Sequence, residues 1–457
     1  MNPISAQTAS RLYLTRAIVD NGNFELTPYR KLLGVDRVEI GGRVYSDKAP
    51  GQPFVAVPLL WLADRLGFGD AEWVRVREVE SSEGTQSAVI LFHLGDWWLG
   101  VWFASVPGAV LGALMVSRIT KFTSSHSSQN HAEEDDGSAS TGSGSPRVAV
   151  AAALALSLGT IILPLSADLF QHVLVAALVY MAWHVSDRNG RGRALAAGLL
   201  VAVAISVDYA AAIAAVIFAF FVIWRRDWEQ LVFLVAAALP VGLLIGWYHQ
   251  IVYGSPFRTS YAVKTGHLEG HLEMPSLLHL VRVFFGERGF VFTPIVLLAL
   301  FGIIRMWRAG GRSKREAAVA LAMFAGYLLL QISWPNPWGG DSPGPRYMTP
   351  ALPFLAVPLA YVWERRTCLK AAALGTFSMG LAVVTHHLVG PGDPLIAAHI
   401  GNAKRWGFNL VIFRAVLPDA VAYAVYALLI AFVALVLLRT VESHSACGVS
   451  ESPAGRT

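Results

Sequence analysis

The feature that most constrains this chain is a series of apolar segments, each about 15 to 21 residues long, near the ~20 residues that a helix needs to cross a bilayer. These predicted spans are 97–117, 148–163, 168–185, 194–208, 210–224, 229–249, 290–307, 317–334, 348–364, 371–387 and 418–438. Charged residues make up only 15% of the chain, against about 25% in soluble proteins. We therefore predict an all-α polytopic membrane protein with about eleven transmembrane helices.

The loops between these spans differ in their content of arginine and lysine. Four loops are rich in cations: they hold Arg188, Arg191 and Arg193; Arg225 and Arg226; Arg305, Arg308, Arg312, Lys314 and Arg315; and Arg365, Arg366 and Lys370. Threading the spans puts all four on one face, which the positive-inside bias makes cytoplasmic. We therefore predict an integral plasma-membrane protein. Its extracytoplasmic parts are residues 1–96, 250–289, 334–347 and 388–417. These loops explain the net charge of +5, and no nucleic-acid partner is expected.

Three regions follow from this topology. Residues 1–96 form an outer-face catalytic loop, residues 97–438 form the transmembrane bundle, and residues 439–457 form a cytoplasmic tail. Within the bundle, residues 119–147 are rich in Ser, Gly, His and acids and are predicted to be a disordered cytoplasmic loop. The short pair 194–208 and 210–224 could instead form a re-entrant hairpin.

The outer N-terminal region contains a short apolar stretch at residues 53–66. It carries Asp64 and Arg65, so we place it in the plane of the membrane interface. No signal peptide is visible before this outer region. A further apolar helix is therefore expected upstream of Met1.

Charged residues are concentrated in the first outer loop. The candidates for binding the substrate there are Arg11, Arg43 and Lys48, and the candidate catalytic carboxylates are Asp36, Asp47 and Glu25. Cations at a membrane surface suit a lipid-linked phosphate, whose charge stays at the headgroups while its tail lies in the bilayer. A nearby carboxylate could deprotonate an acceptor hydroxyl. The alternative is a solvated loop of surface salt bridges.

The late outer loop, residues 334–347 (WPNPWGGDSPGPRY), is the second unusual segment. Its prolines and glycines predict an irregular backbone. Arg346, at the mouth of the 348–364 span, could bind phosphate with two parallel hydrogen bonds, and we add Asp341 and Tyr347 as substrate-binding candidates. The alternative is an ordinary belt of aromatic residues at the membrane interface together with a tight turn.

Other polar residues are predicted to have structural roles. Asp168, His172 and Asp208 read as helix caps or inter-helix hydrogen bonds, although polar groups near spans are often functional. His249 is expected to pack against its loop. The pair His267 and His271 is a weak metal motif, as are His386 and His387. We expect no metal and no cofactor, and the cysteines Cys368 and Cys447 cannot form a disulfide framework.

The order of these motifs resembles a known family. The segments are residues 10–18 (SRLYLTRAI), 22–24 (GNF), 42–51 (GRVYSDKAPG), and 339–347 (GGDSPGPRY) followed by PALP at 350–353. They resemble outer loops of GT-C glycosyltransferases, in the bacterial branch near the protein O-mannosyltransferases and the lipid A aminoarabinose transferase. The resemblance implies a helical bundle with an outer-face cavity, a polyprenyl-phosphate-linked sugar as donor, and inversion of the anomeric centre.

The resemblance also assigns roles to individual residues. Lys48 matches the family's loop lysine and would bind the lipid phosphate. The family's acidic pair would fall near Thr8 to Ser10, where this chain has no acid. We therefore predict Asp36 as the general base, with Asp47 and Glu25 as the next candidates.

The predicted function is transfer of a sugar from a polyprenyl-phosphate carrier to a hydroxyl of a glycan, lipid or protein. One alternative is a transporter or flippase of lipid-linked sugars, which would carry its ionisable residues near the membrane midplane and show repeat symmetry. Another alternative is an inactive scaffold of the same fold, favoured by the missing family acid.

Overall fold

A computed structural model of the chain describes residues 6–67, 72–81, 84–130, 146–186, 190–263, 272–385 and 393–406, together with residues 424 and 428. Most of these residues are helical. The α-helices are α1 (Ala6–Asn21), α2 (Gly51–Arg65), α3 (Leu94–Gly100), α4 (Val106–Asn130), α5 (Pro146–Leu158), α6 (Ile162–Ser166), α7 (Gln171–Ser186), α8 (Arg191–Val207), α9 (Ala212–Trp224), α10 (Trp228–Tyr253), α11 (Ser260–Val263), α12 (Leu277–Phe285), α13 (Ile295–Ala309), α14 (Gly311–Ile332), α15 (Ala356–Tyr361), α16 (Arg365–Val384) and α17 (Leu395–Trp406).

Within the described residues, four helical stretches are long and apolar enough to cross a membrane: Trp98–Ser124, Trp228–Tyr253, Gly311–Ile332 and Arg365–Val384. A further pair, Leu277–Phe292 and Ile295–Ala309, passes the same test together but is bent by 108°. The predicted membrane character is therefore supported, whereas the number of about eleven spans is not confirmed. The predicted span 418–438, apart from residues 424 and 428, and the tail 439–457 lie outside the described residues.

The predicted span 348–364 is wrong as one continuous α-helix. Its first part belongs to a 3₁₀ helix, Arg346–Leu355, and only α15 follows. Pro350 and Pro353 lie inside that 3₁₀ stretch, and a proline supplies no amide donor to the preceding turn. The other irregular helical pieces are the π-helical turn Val101–Ser105, which joins α3 to α4, and the 3₁₀ turns Thr27–Tyr29, Tyr209–Ala211 and Phe290–Phe292.

Two helix boundaries also differ from the prediction. α4 continues to Asn130, so a disordered loop starting at residue 119 is wrong for its first part, while residues 131–145 lie outside the described residues. Arg365, Arg366 and Lys370 lie in α16 and not in a loop. The Glu364 side chain begins this helix because it accepts hydrogen bonds from the amides of Arg366 at 3.0 Å and Thr367 at 2.7 Å.

The polar N-terminal region contains two antiparallel hairpins that the purely α-helical prediction missed. Strands β1 (Arg37–Ile40) and β2 (Arg43–Ser46) are joined by Gly41 and Gly42, whose φ values are 57° and 82°. Two positive φ values are what a tight two-residue hairpin requires, and glycine adopts them without strain. The second hairpin pairs β3 (Glu72–Ser81) with β4 (Gly84–His93).

The N-terminal elements pack onto one end of the helical bundle. One apolar cluster joins Leu14 of α1 and Val44 of β2 to Tyr248 and Val252 near the end of α10. The predicted interfacial stretch 53–66 is α2, which with α1 and α3 forms a second small cluster. The hairpin β1–β2 is thus held against the end of α10, and this contact positions the residues that follow β2.

Candidate functional site

The hairpin β1–β2 brings Asp36 next to Lys48. Asp36 precedes β1 and Lys48 follows β2 by two residues, and the register pairs Arg37 with Ser46. The Lys48 ammonium therefore lies between two carboxylates, with Nζ 2.9 Å from Asp36 Oδ1 and 3.2 Å from Asp47 Oδ2. The side chains of Lys48, Asp36 and Asp47 are 9%, 12% and 2% exposed. This is a buried ion cluster and not the solvated salt-bridged loop that the sequence left open.

Charge interactions keep Lys48 protonated inside this cluster. Burial on its own lowers the pKa of the Lys48 ammonium, but the Asp47 and Asp36 carboxylates more than offset burial, so the pKa is raised above its ordinary value. The ammonium consequently carries its positive charge throughout the neutral range. Lys48 can serve as a fixed cation but not as a base.

Hydrogen bonds from three helices hold Ser46 and Asp47 in place. The Ser46 hydroxyl lies 2.8 Å from the Ser10 hydroxyl of α1. Tyr253 at the end of α10 donates to the Ser46 carbonyl at 2.8 Å, and Ser260 of α11 donates to the Asp47 carbonyl at 2.7 Å. These bonds fix the segment between helices that are distant in sequence.

Arg11 of α1 is a second buried cation in the same region. Its guanidinium interacts electrostatically with Asp208, Asp36 and Asp47, and burial lowers the pKa of that guanidinium. Nη1 donates to the Gln7 carbonyl at 3.0 Å. Nε is buried and has no hydrogen-bond partner among the described residues, so Arg11 has a donor left for a ligand.

Arg346 approaches this cluster from the late loop. The side-chain amide of Gln7 faces Arg346, and in the orientation that directs its oxygen to the guanidinium the oxygen accepts hydrogen bonds from Nη2 at 2.6 Å and Nη1 at 3.2 Å. Gln7 therefore joins Arg346 to Arg11. The imidazole of His172 interacts electrostatically with Arg346, Arg11 and Lys48, so all three cations lie in the neighbourhood of this ring.

The irregular backbone predicted for residues 334–347 is confirmed. Gly339 and Gly340 have φ values of 79° and 109°, and a Cβ atom at Gly339 would lie 2.7 Å from the Tyr347 ring and 3.0 Å from Arg346 Nε. The Tyr347 ring in turn packs edge-on against His172. The glycines therefore allow the loop to fold closely over Arg346 and Tyr347.

Gln171, His172 and Asp208 are neighbours of this cluster that the sequence reading did not include in the site. Gln171 Nε2 donates to Asp208 Oδ2 at 3.1 Å, and His172 Nδ1 lies 3.6 Å from the same oxygen. The predicted capping role of Asp208 is confirmed, because its Oδ1 accepts from the Ala210 amide at 3.0 Å. His249 also packs in its loop as predicted: its Nδ1 lies 3.3 Å from the Pro256 carbonyl.

Three predicted site residues lie apart from the buried cluster. Arg43 Nε and Glu25 Oε2 are 3.6 Å apart, with side chains 66% and 32% exposed. Asp341 is exposed and interacts electrostatically with Arg288. The structure thus gathers Lys48, Asp36, Asp47, Arg11, Arg346 and Tyr347, and leaves Arg43, Glu25 and Asp341 at the surface.

Gly51, the first residue of α2, sets the distance between α2 and the end of α8. A Cβ atom at Gly51 would lie 2.2 Å from Ser206 Oγ and 2.4 Å from the Ser206 carbonyl carbon. These distances are below any normal contact, so only glycine fits at this position. Because Lys48 lies just before α2 and Asp208 just after α8, this contact also spaces the two sides of the cluster.

Gly51→Ala is expected to destabilise the fold by about 1–3 kcal/mol, because the added methyl group must push α2 away from α8. Thermal unfolding of the detergent-solubilised protein, followed by circular dichroism, measures this loss. The matched control is Gly192→Ala in the first turn of α8, where a Cβ atom meets nothing within 4 Å. Equal unfolding temperatures for the two variants would contradict the assigned contact.

A large apolar groove adjoins the cluster. It lies among α8, α9 and α10, and its volume is about 890 Å³. Three residues of its wall adjoin the polar region. Ser206 faces Gly51 across the contact between α8 and α2. Tyr209 follows Asp208 in the sequence, and Thr259 precedes Ser260. The groove therefore begins where the polar cluster ends, and most of its lining is aliphatic or aromatic.

The structure does not test the two weak metal motifs in the sequence. Among the described residues, no group of three or more His, Cys, Asp or Glu side chains could hold a metal ion. The pairs His267 and His271, and His386 and His387, lie outside the described residues. An anionic ligand could instead bind the buried cations Lys48, Arg11 and Arg346.

Comparison with protein-family models, with curated proteins and with solved structures finds no match for this chain. The resemblance to GT-C glycosyltransferases therefore rests on the motifs at residues 10–18, 42–51 and 339–347. A function for the chain is inferred from these motifs and from the geometry of the buried cluster.

Proposed function

We propose that this protein transfers a sugar from a polyprenyl-phosphate carrier to an acceptor hydroxyl at the outer face of the membrane. One observation carries the proposal: a buried cluster of cations and carboxylates adjoins an apolar groove of about 890 Å³. A lipid phosphate has the same two parts, a charged head and a long apolar chain. The groove volume lies within the range of about 300–1,000 Å³ that is usual for ligand sites.

The phosphate of the donor is assigned to Lys48, Arg11 and Arg346. Arg11 and Arg346 each retain a buried Nε donor without a hydrogen-bond partner among the described residues. Arginine donates in a fixed planar fork that matches phosphate oxygens, and Lys48 adds a compact positive charge. These cations stabilise the negative charge that develops on the phosphate as the sugar leaves.

Asp36 is assigned as the general base, with Asp47 as the second candidate. The base takes the proton of the acceptor hydroxyl, the hydroxyl oxygen bonds to the anomeric carbon, and the bond from that carbon to the phosphate oxygen breaks. The lipid phosphate leaves with the electron pair. Both carboxylates contact Lys48, so the proposed base lies directly beside a cation that is assigned to the phosphate.

Neutral polar side chains are available for the sugar ring. His172 Nε2, Gln171 Oε1 and both side-chain amide atoms of Gln52 are buried without hydrogen-bond partners among the described residues. Sugar hydroxyls both donate and accept, so they fit such a mixed set of donors and acceptors. We assign these groups to the glycosyl part of the donor.

The orientation of two candidate spans supports an outer position for the cluster. Tyr253 in the last turn of α10 donates to Ser46, and Gln331 in the last turn of α14 accepts from the Tyr347 amide at 2.9 Å. Basic residues lie at the opposite ends of the same helices: Arg225 and Arg226 just before α10, and Arg312, Lys314 and Arg315 in the first turns of α14. Under the positive-inside bias those ends are cytoplasmic, so the cluster faces outward.

The direct test is to incubate membranes containing the protein with a panel of radiolabelled polyprenyl-phosphate sugars. We expect one donor to lose its sugar to an acceptor in the membranes, with release of polyprenyl phosphate. Membranes containing Lys48→Ala at the same level serve as the control. Consumption of no donor above that control would reject the proposed function.

A further inference from the structure

The nine-residue helix α12, Leu277–Phe285, has an apolar face that no described part of the protein covers. Leu277, Leu278, Val281 and Phe285 are 75%, 58%, 50% and 68% exposed. At 100° per residue these four side chains fall within one arc of the helix. Val283, on the opposite side, is fully buried, so α12 is attached to the protein by one face only.

Hydrogen bonds attach the start of α12 to the end of α14. The Ser276 amide donates to the Ile332 carbonyl at 3.1 Å, and the Glu273 amide donates to the Ser333 carbonyl at 2.8 Å. His279 Nδ1 also lies 3.3 Å from the Ile332 carbonyl. Since α14 is a candidate span, α12 lies at the level where this span leaves the apolar layer.

The direction of α12 is also defined by its neighbours. The stretch Leu277–Phe292 is bent by 108° from Ile295–Ala309, which covers most of the predicted span 290–307. A helix that crosses a span at nearly a right angle, at the end of another span, runs parallel to the membrane surface. Leu329, one turn before Ser333 at the end of α14, is also exposed, so apolar surface is exposed on both elements that meet at this junction.

We infer that α12 lies in the plane of the outer membrane surface, with Leu277, Leu278, Val281 and Phe285 inserted at the boundary between phospholipid headgroups and acyl chains. Arg282 is exposed on the same helix and can contact a headgroup phosphate from the edge of this face. A bilayer is favoured over a protein partner because α12 is hydrogen-bonded to the end of a candidate membrane span that itself exposes Leu321 and Leu329.

This inference does not depend on the proposed enzymatic activity, but it sets the depth of the site. Gln331 Oε1 accepts from the Tyr347 amide at 2.9 Å, one residue before the Ile332 carbonyl that anchors α12. The Arg346–Tyr347 pair therefore lies at nearly the level of α12. Arg346 is then placed at the depth of the phospholipid phosphates.

The depth of α12 can be measured by fluorescence quenching in the full-length protein. A single cysteine at Leu278→Cys, in a background of Cys368→Ala and Cys447→Ala, is labelled with bimane. The protein is reconstituted in vesicles of three parts phosphatidylcholine and one part phosphatidylglycerol. Separate vesicle samples carry a nitroxide either near the headgroup or near the end of the acyl chain. We expect the shallow nitroxide to quench about twofold more strongly, as for a helix buried ~5–10 Å deep.

A second probe and a depth control keep this experiment decisive. Val281→Cys reports on the same face and should give the same order of quenching, and it substitutes if Leu278→Cys does not insert. Val216→Cys, on the exposed side of α9, should be quenched more strongly by the deep nitroxide. Stronger deep quenching at residues 278 and 281 would overturn the inference, as would an absence of quenching, which would indicate water or a protein partner on this face.

Discussion

Lys48→Ala is expected to lower the rate of the proposed sugar transfer by about 100-fold or more, because it removes a cation that is assigned to the leaving phosphate. The effect should appear in both kcat and the affinity for the donor, since in the proposed site the ammonium contacts the phosphate before and during transfer. Initial rates with a radiolabelled polyprenyl-phosphate sugar, at several donor concentrations, measure both quantities.

The same substitution is expected to destabilise the fold, so the loss of activity needs a structural control. Truncating one partner of a buried ion cluster costs about 3–5 kcal/mol, because the Asp36 and Asp47 carboxylates would remain buried without Lys48. The double variant Lys48→Ala with Asp36→Asn removes part of that excess charge. It should recover much of the unfolding temperature and none of the activity.

A lysine at the protein surface serves as a control that distinguishes loss of the buried ammonium from a change in the net charge of the protein. Lys31 is exposed, so Lys31→Ala should leave both rate and stability near those of the wild type. Full activity of Lys48→Ala would reject the assigned phosphate site. A proportional loss in Lys31→Ala would show that net charge, and not the buried ammonium, is responsible.

Asp36→Asn is expected to lower kcat by about 10²–10⁴-fold, the usual contribution of a general base, with little change in the KM for the donor. The amide keeps the shape of the side chain and can still contact the Lys48 region, so donor binding should persist. Steady-state kinetics at saturating acceptor measure the two parameters separately.

The matched control for this variant lies on the same hairpin. Glu39 is on β1, and its carboxylate contacts Arg37 and Arg30 at the protein surface. Glu39→Gln should therefore retain the wild-type kcat. If Asp36→Asn stays active while Asp47→Asn loses activity, the role of base assigned to Asp36 is wrong.

Some of the cluster could be predicted from the sequence because it depends on local rules. The tight Gly41–Gly42 turn between alternating residues predicts a hairpin, and such a hairpin places Asp36 near Lys48. This turn signal is present in the sequence, although the region was predicted to be a polar loop. The glycines of residues 334–347 did predict the irregular backbone that surrounds Arg346.

Other parts of the structure depend on information that hydropathy does not contain. The predicted span 348–364 is apolar throughout, but Pro350 and Pro353 remove amide donors and favour a 3₁₀ turn. The contact of His172 with Asp208 joins the ends of two different helices, and local sequence cannot fix such a pair. Arg43 and Glu25 were included because they lie in the same charged loop as Lys48 in the sequence, but they pair with each other at the surface, with side chains 66% and 32% exposed.

The measurement that tests the central claim most directly is the binding of polyprenyl phosphate, with and without an attached sugar, to the full-length protein in nanodiscs. We expect saturable binding of both lipids by the wild type, and about tenfold weaker binding of both by Lys48→Ala, equivalent to ~1.4 kcal/mol. The variant His172→Ala should weaken binding of the sugar-bearing lipid only. Equal affinity of the wild type and Lys48→Ala for polyprenyl phosphate would contradict the proposed site.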